Sequence, residues 1–244
     1  MFLKQEKVDM RKQEHWYSVK AKSIAKEIED HGLVVRKATE NDIGTIRELV
    51  DGAFGPHIAN QTTTYIIHRA VSYSQQSLLV YDGEKPIAVK LAVGYSGIPS
   101  ISQSLLAVVK KDYSGLGLGT SISQLSCLLA IEEGCVLRKA TAHYKNYPSI
   151  YNLLNKVGYS VDTFENNYMG FGESRLTLKM DLRKEIHWLK GCEVKPLISH
   201  HFDSLVQIPV ERMSSKLISE MKTSGASIIG LSPRKTNIYL ATKL

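Results

Sequence analysis

Cysteine is scarce in this chain. Only Cys127, Cys135 and Cys192 occur in 244 residues, an odd number at spacings that suit neither a disulfide framework nor a metal-ligand knot, so reduced thiols are expected. Long apolar runs are also missing: no window reaches the roughly 18 uninterrupted apolar residues of a membrane span. Nor does a basic segment with an apolar core and a small-residue cleavage site follow Met1. A soluble, cytoplasmic protein without membrane contact is the expectation. Internal repeats and low-complexity tracts are absent, which excludes solenoids and fibrous arrays. What remains is a chain with 43% hydrophobic residues, enough for one full core with extensions.

Acidic residues are outnumbered, 24 against 31 Lys and Arg, for a formal charge of +7. Between Arg183 and Leu244 there are ten Lys/Arg and five Asp/Glu, so this end carries +5 of the surplus. Such charge favours anions in general and selects no particular one. With no RNP, KH or zinc-finger signature, nucleic acid ranks below a small anionic ligand.

Tyr17, Ala21, Ile24, Ala25 and Ile28 recur at helical spacing, predicting an amphipathic N-terminal helix that ends at His31-Gly32. The run Leu33-Val34-Val35 predicts a first strand, and Thr39 an N-cap before Ile43, Ile46, Val50 and Phe54. Residues Ile58 to Tyr73 predict a further helix. Gln76–Tyr81 and Ile87–Tyr95 flank Asp82-Gly83, a hairpin signature. Ser104–Val109 reads as strand four, Leu118, Ile122, Leu125 and Leu129 as an amphipathic helix, and Lys139–His143 as strand five. Pro148 to Gly158 predicts another helix, with strands at Tyr159–Val161 and Arg175–Leu182. Beyond Arg183, helix-like Val210–Met221 and apolar runs Ser227–Leu231 and Asn237–Thr242 predict a small α/β appendage. The division expected is a helical extension (1–32), a main domain (33–182) and a basic C-terminal extension (183–244).

Ser114-Gly115-Leu116-Gly117-Leu118-Gly119 lies at the junction of strand four and a helix. A helix N-terminus offers unpaired amides and a positive dipole end, and glycines let a diphosphate approach the backbone without Cβ collisions. An ordinary glycine-rich loop is the alternative for such a motif alone. It lacks the Gly-Lys-Ser/Thr ending of a P-loop, and it follows a mid-chain strand rather than opening a βαβ unit with an acidic residue downstream.

Over residues 33–182 the chain resembles the GNAT acyltransferase superfamily, whose signature is Arg/Gln-x-x-Gly-x-Gly/Ala. Gly117 and Gly119 match its glycines, Gly115 and Leu118 its common fillers, Tyr113 its aromatic and Val109 its strand valine. Ser114 departs from its Arg/Gln, with Lys110 and Lys111 as nearby replacement charge. Tyr147 to Tyr159 resembles the family's helix after strand five, ending in Lys-x-Gly-aromatic. The resemblance implies an α+β fold: a mixed sheet flanked by helices and splayed between strands four and five. Acetyl-CoA, the acyl donor, is implied to lie in that gap, held by Val108, Val109, Lys110, Ser114, Gly115, Leu116, Gly117, Leu118, Gly119, Thr120 and Asn146.

The activity implied is transfer of an acetyl group from acetyl-CoA to a primary amine, on a small molecule or a protein, by direct attack on the thioester. No metal is implied. Family members often carry a Glu base on or near strand four and a Tyr acid four residues before the helix-ending glycine. Here strand four offers Ser102, Gln103 and Ser104, and Leu154 takes the tyrosine place. His143 is the candidate base, or else a structural histidine, and Tyr151 the candidate acid, or else a packed aromatic; Tyr144 and Asn146 are candidates to orient substrate. A catalytically silent acyl-CoA-binding module with a partner-binding C-terminal segment is the rival reading, favoured by Leu154 and the missing carboxylate. His200-His201 with Asp203 lacks a further ligand at metal spacing, and Ser232-Pro233-Arg234-Lys235 reads as a basic turn or phosphate contact. The segment after Arg183 is expected to cover the acceptor side of the cleft or to make a subunit contact, as in a homodimer.

Overall fold

The computed structural model describes residues 10–54, 64–95, 100–165, 174–183, 202–212, 214–223, 226–231 and 237–243. Strands β1 (Leu33–Lys37), β2 (Leu78–Asp82), β3 (Lys85–Tyr95), β4 (Ile101–Val109), β5 (Leu137–His143), β6 (Ser160–Glu165) and β7 (Arg175–Asp181) build one sheet. Its order is β1-β2-β3-β4-β5-β7-β6. β4 and β5 run parallel, and the other neighbouring pairs are antiparallel. The β2–β3 hairpin turns at Gly83, whose φ of 56° only glycine adopts without steric cost.

Helices cover both faces. On one lie α2 (Ile43–Ala53) and α3 (Thr64–Ser72), burying Ile46, Leu49, Val50, Ile67 and Ala70 with Leu79, Val89 and Leu91 of the sheet. Each Ile, Leu or Val among them contributes roughly 1.5–3 kcal/mol of burial. On the other face lie α1 (Met10–Glu29), α4 (Leu118–Glu132) and α5 (Tyr147–Tyr151), the last continuing as a π-helical segment, Asn152–Val157. Thr39 fixes the entry to α2: its amide and hydroxyl both donate to Asp42 Oδ2, at 2.8 and 2.9 Å. Arg36 clamps the same carboxylate at 2.6 and 2.8 Å and holds it well below the usual carboxylate range.

A second, three-stranded sheet has the order β8-β10-β9, from Phe202–Pro209 (β8), Ala226–Leu231 (β9) and Asn237–Lys243 (β10). It docks through β9 onto β6 and the π-helical segment. Helix α6 (Ser215–Thr223) buries Ile218 and Met221 in the same core as α4 and α5.

Several expected elements differ in extent. The helix expected over 58–73 is described only as Thr64–Ser72, its earlier part lying outside the described residues. β4 starts at Ile101 and β5 at Leu137, because ladder pairing extends the apolar stretches backward. β8 had no expected counterpart. The expected helix over 210–221 is a 3-10 turn at Val210–Arg212 followed by α6. The expected 148–157 α-helix widens into π turns where Gly158, at φ 93°, and Tyr159 both donate to the Leu153 carbonyl.

Candidate active site

β4 and β5 pair only from Ile101–Ser104 against Leu137–Ala140. Beyond that vertex β4 runs on to Val109 and β5 to His143 without a ladder between them. The cause lies in β4: its register against β3 shifts between Leu91 and Ala92, leaving Leu105 as an extra residue. Such a bulge bends a strand and increases its twist, which carries β4 away from its neighbour. The opening is a cleft of about 260 Å³. Ser104 to Ala107 line one wall, Ala140 to His143 the other, and Asn146, Asn152 and Leu153 the mouth. Phe54 and Ile66, at α2 and α3, line it from the opposite face of the sheet.

At the far end of β4 the chain makes the glycine turn. Gly115 and Gly117 have φ of 92° and 75°, and Gly117 is the residue from which α4 starts. An added Cβ at either would meet nothing within 4 Å, so the space before the turn is open. Among the described residues, the amides of Gly115 through Gly119 donate to no carbonyl outside the helix ladder, whereas those of Thr120 and Ser121 return to the Gly117 carbonyl. Open space, free amides and a helix start together form an anion cradle. Asn152 ties its edge to α5, accepting from Thr120 Oγ1 at 2.6 Å. A groove beside Leu116, Gly117 and Thr120 extends to Lys156 and the end of α1.

Solved structures superpose on this sheet and its flanking helices. The NatC complex bound to Gag peptide and CoA superposes with a TM-score of 0.53 at 12% identity, over 61% of this chain and 98% of that one. The chain has the GNAT fold. Arabidopsis thaliana Naa50 with the bisubstrate analogue CoA-Ac-MVNAL gives 0.54 at 10% identity, over 61% and 98%. The Escherichia coli ribosomal-protein-S18-alanine N-acetyltransferase gives 0.51 at 13%, over 63% and 96%. No family profile matches the sequence, and no curated protein matches it significantly.

Within this GNAT fold the residues expected from sequence separate into two groups. His143, half-buried, lines the cleft, accepts from the Lys145 amide at Nδ1 (3.3 Å) and stacks on Tyr144. Asn146 also lines it and caps α5 by accepting from the Ser149 amide. Val108 turns into the α2–α3 core, whereas Val109 packs on the α4 side. The Lys110 amide donates to Ile87, leaving its side chain at the turn. Ser114 and Leu116 are exposed on the turn, and Leu118 is buried as the first residue of α4. Tyr151 does not line the cleft; its ring packs against the main core. The π-helical segment that follows breaks the α-helical phase relating it to Gly158. Leu154 is buried. Among the described residues, no three His, Cys, Asp or Glu side chains converge on a metal site, and His200 and His201 lie outside them, as does the turn at 232–235.

The cleft floor holds groups that sequence reading missed. Lys90 of β3, 3% exposed, donates to Ser104 Oγ at 2.6 Å, and both residues line the cleft. Burial, reinforced by the Arg138 charge, lowers the Lys90 ammonium to about 7. Arg138, fully buried, donates to the Tyr159 hydroxyl, Gln76 Oε1, Ser102 Oγ and both oxygens of Ser126, between 2.6 and 3.1 Å. Gln76 in turn donates to Glu133 at 2.6 Å. The one signal available was a lysine interrupting the apolar run Ile87-Ala88-Val89-Lys90-Leu91-Ala92-Val93 of a central strand. A cation there must be either paired or neutral.

Proposed function

We propose that this protein is an acyl-CoA-dependent N-acyltransferase that moves an acetyl group from acetyl-CoA to a primary amine. The observation carrying this reading is the alignment of the splayed β4–β5 cleft with the free-amide glycine turn at its open end. The turn and the start of α4 hold the pyrophosphate, and pantetheine lies along the unpaired edge of β4 as an added strand would. The thioester then sits near the vertex, and the amine reaches it from the side of Phe54 and Ile66 by direct attack. His143 accepts the ammonium proton through water. Holding both reactants in one narrow cleft supplies much of the rate. Acceptors in the structures cited are peptides and a protein alanine, which makes peptide N-termini the first acceptors to test. The boundaries near residues 33 and 182 belong to the same proposal.

The test is thiol release from acetyl-CoA with a panel of small amines and peptides, beside calorimetry of CoA binding. Binding with acceptor-dependent release supports the transferase; failure to bind CoA overturns it. Buried Leu154 and the position of Tyr151 favour a second reading, a silent acyl-CoA-binding module. Binding with no release across the panel selects that reading.

A further inference from the structure

The Lys90–Ser104 pair has no part in the transfer just described, yet it stands where the cleft begins. Ser104 is the last β4 residue paired with β5, and it immediately precedes the bulge at Leu105. Its Oγ lies 2.6 Å from Lys90 Nζ, deep in the sheet. Hydroxyl and amine thus form a buried hydrogen-bonded pair, and an amine beside a serine hydroxyl is an arrangement that activates a serine nucleophile.

Lys90 suits the base role. It is buried, no Asp or Glu among the described residues pairs with it, and Arg138 opposes its charge. An amine so placed is substantially neutral at and above neutral pH. Small residues, Ala107, Ser123, Ala140 and Ala142, line the same cleft of about 260 Å³ as the pair. From Leu105 onward, β4 has no ladder partner on its β5 side, so its free amides can receive an oxyanion.

We propose that Ser104, with Lys90 as its base, is an internal acyl acceptor, and that without an amine the protein hydrolyses acyl-CoA through a Ser104 ester. Lys90, as the free amine, takes the hydroxyl proton while Ser104 Oγ bonds to the thioester carbonyl carbon. The C–S bond breaks, and the Lys90 ammonium returns the proton to the leaving thiolate. Water then attacks the ester; its proton passes through Lys90 to Ser104 Oγ, and a carboxylic acid leaves. With acetyl-CoA as donor this activity rests on the proposed function, but the pair itself does not.

The experiment mixes the full chain, without amine, with acetyl-CoA and separately with p-nitrophenyl acetate, an acyl donor that needs no pyrophosphate site. Acid-quenched samples are read by intact mass and peptide mapping, with calorimetry of acetyl-CoA binding alongside. The expected result is one acetyl group on Ser104, lost in alkaline hydroxylamine as an ester is. Ser104→Ala abolishes it, and Lys90→Met slows its formation about 100-fold or more, the range of a general base. Ser104→Ala keeps the wild-type thermal unfolding transition within a few degrees, Lys90→Met melts above wild type at neutral pH because a buried cation is gone, and both variants still bind acetyl-CoA. Labelling of Ser104 by p-nitrophenyl acetate without acetyl-CoA binding supports the pair and sinks the proposed function. Acetyl-CoA binding with no label from either donor overturns the pair, as does an acetyl group on Lys90 Nζ or equal labelling of Lys90→Met.

Discussion

The two ends of the cleft are built from different material. At the glycine turn, Gly115 to Gly119 offer backbone amides, contiguous in sequence, and no side chain is needed to make an anion cradle. At the vertex, Lys90, Ser104, Arg138 and Tyr159 come from β3, β4, β5 and the chain just before β6, and the environment exists only once the sheet is assembled. Donor binding should therefore tolerate side-chain changes that leave the turn intact, whereas the serine chemistry proposed for the vertex would depend on a buried side-chain network.

The largest effect that would break this contrast concerns the cost of the vertex. Lys90 falls from 10.5 to about 7 in the folded chain. Between those values the unfolded chain binds more protons, so stability rises with pH. Replacing Lys90 by Met removes this penalty, of the order of 5 kcal/mol at or below pH 7 by the pKa difference. Its stability advantage over wild type should shrink by roughly 2–3 kcal/mol between pH 7 and pH 9. Urea unfolding at the two pH values measures this; an advantage independent of pH means that Lys90 is not held neutral. Cys127, which burial holds protonated, acts in the opposite direction above its ordinary value; it is present in both proteins but loses the Lys90 charge in Lys90→Met, so the comparison goes no higher than the ordinary thiol range.

Next comes the donor end. Gly119 is helical, and an added Cβ would touch only Val109 at 3.9 Å, so Gly119→Val brings no close contact at Cβ and adds bulk at the start of α4, where the proposed diphosphate would approach. CoA affinity should fall about 100-fold or more, as expected for losing two amide bonds to a charged diphosphate. Melting should be unchanged or slightly raised, since valine is a better helix residue than glycine. Calorimetry showing undiminished affinity in the folded variant would place the diphosphate elsewhere. Gly117→Val is a poorer probe, because its φ of 75° adds backbone strain unrelated to ligand.

What was legible in the sequence follows the same division. The succession of strands and helices along the main domain, the hairpin at Gly83 and the turn before α4 are written in contiguous patterns, and the structure has them where periodicity and glycine placed them. The swap of β6 and β7 in the sheet is not written locally. The vertex could not be read that way: Lys90 and Ser104 are fourteen residues apart, and Arg138 reaches Gln76 across 62. Tyr151, read as a candidate acid or a packed aromatic, packs against the core, and the π-turns that follow it are not visible in sequence periodicity. β8 was passed over because the polar residues among His200, His201 and Asp203 obscured its alternation.

His143 and Tyr151 sharpen the contrast at an intermediate scale. His143→Gln should lower turnover about 10- to 100-fold, the lower part of the range for a general base, and leave CoA affinity intact. Tyr151→Phe, outside the cleft lining, should leave turnover near wild type. A pH–rate profile with a working acceptor distinguishes them. An acidic limb that survives in His143→Gln and vanishes in Tyr151→Phe would reverse the two roles.

The smallest expected effect tests whether backbone amides suffice at the donor end. Ser114 stands where related signatures carry Arg or Gln, exposed and extended at φ −67° and ψ 144°, so arginine fits there without strain. On the proposed function, a guanidinium at this position would add its charge to those of Lys110 and Lys111 near the diphosphate. Added charge on an exposed loop is worth about 0.3–1 kcal/mol, or roughly a 2- to 5-fold gain in CoA affinity. Salt should erase it first, since exposed charges are screened within about 8 Å at physiological ionic strength. Calorimetry of Ser114→Arg at low and high salt measures both. A gain far above tenfold, insensitive to salt, would mean that the side chain orders the turn and that the amides alone do not make the site.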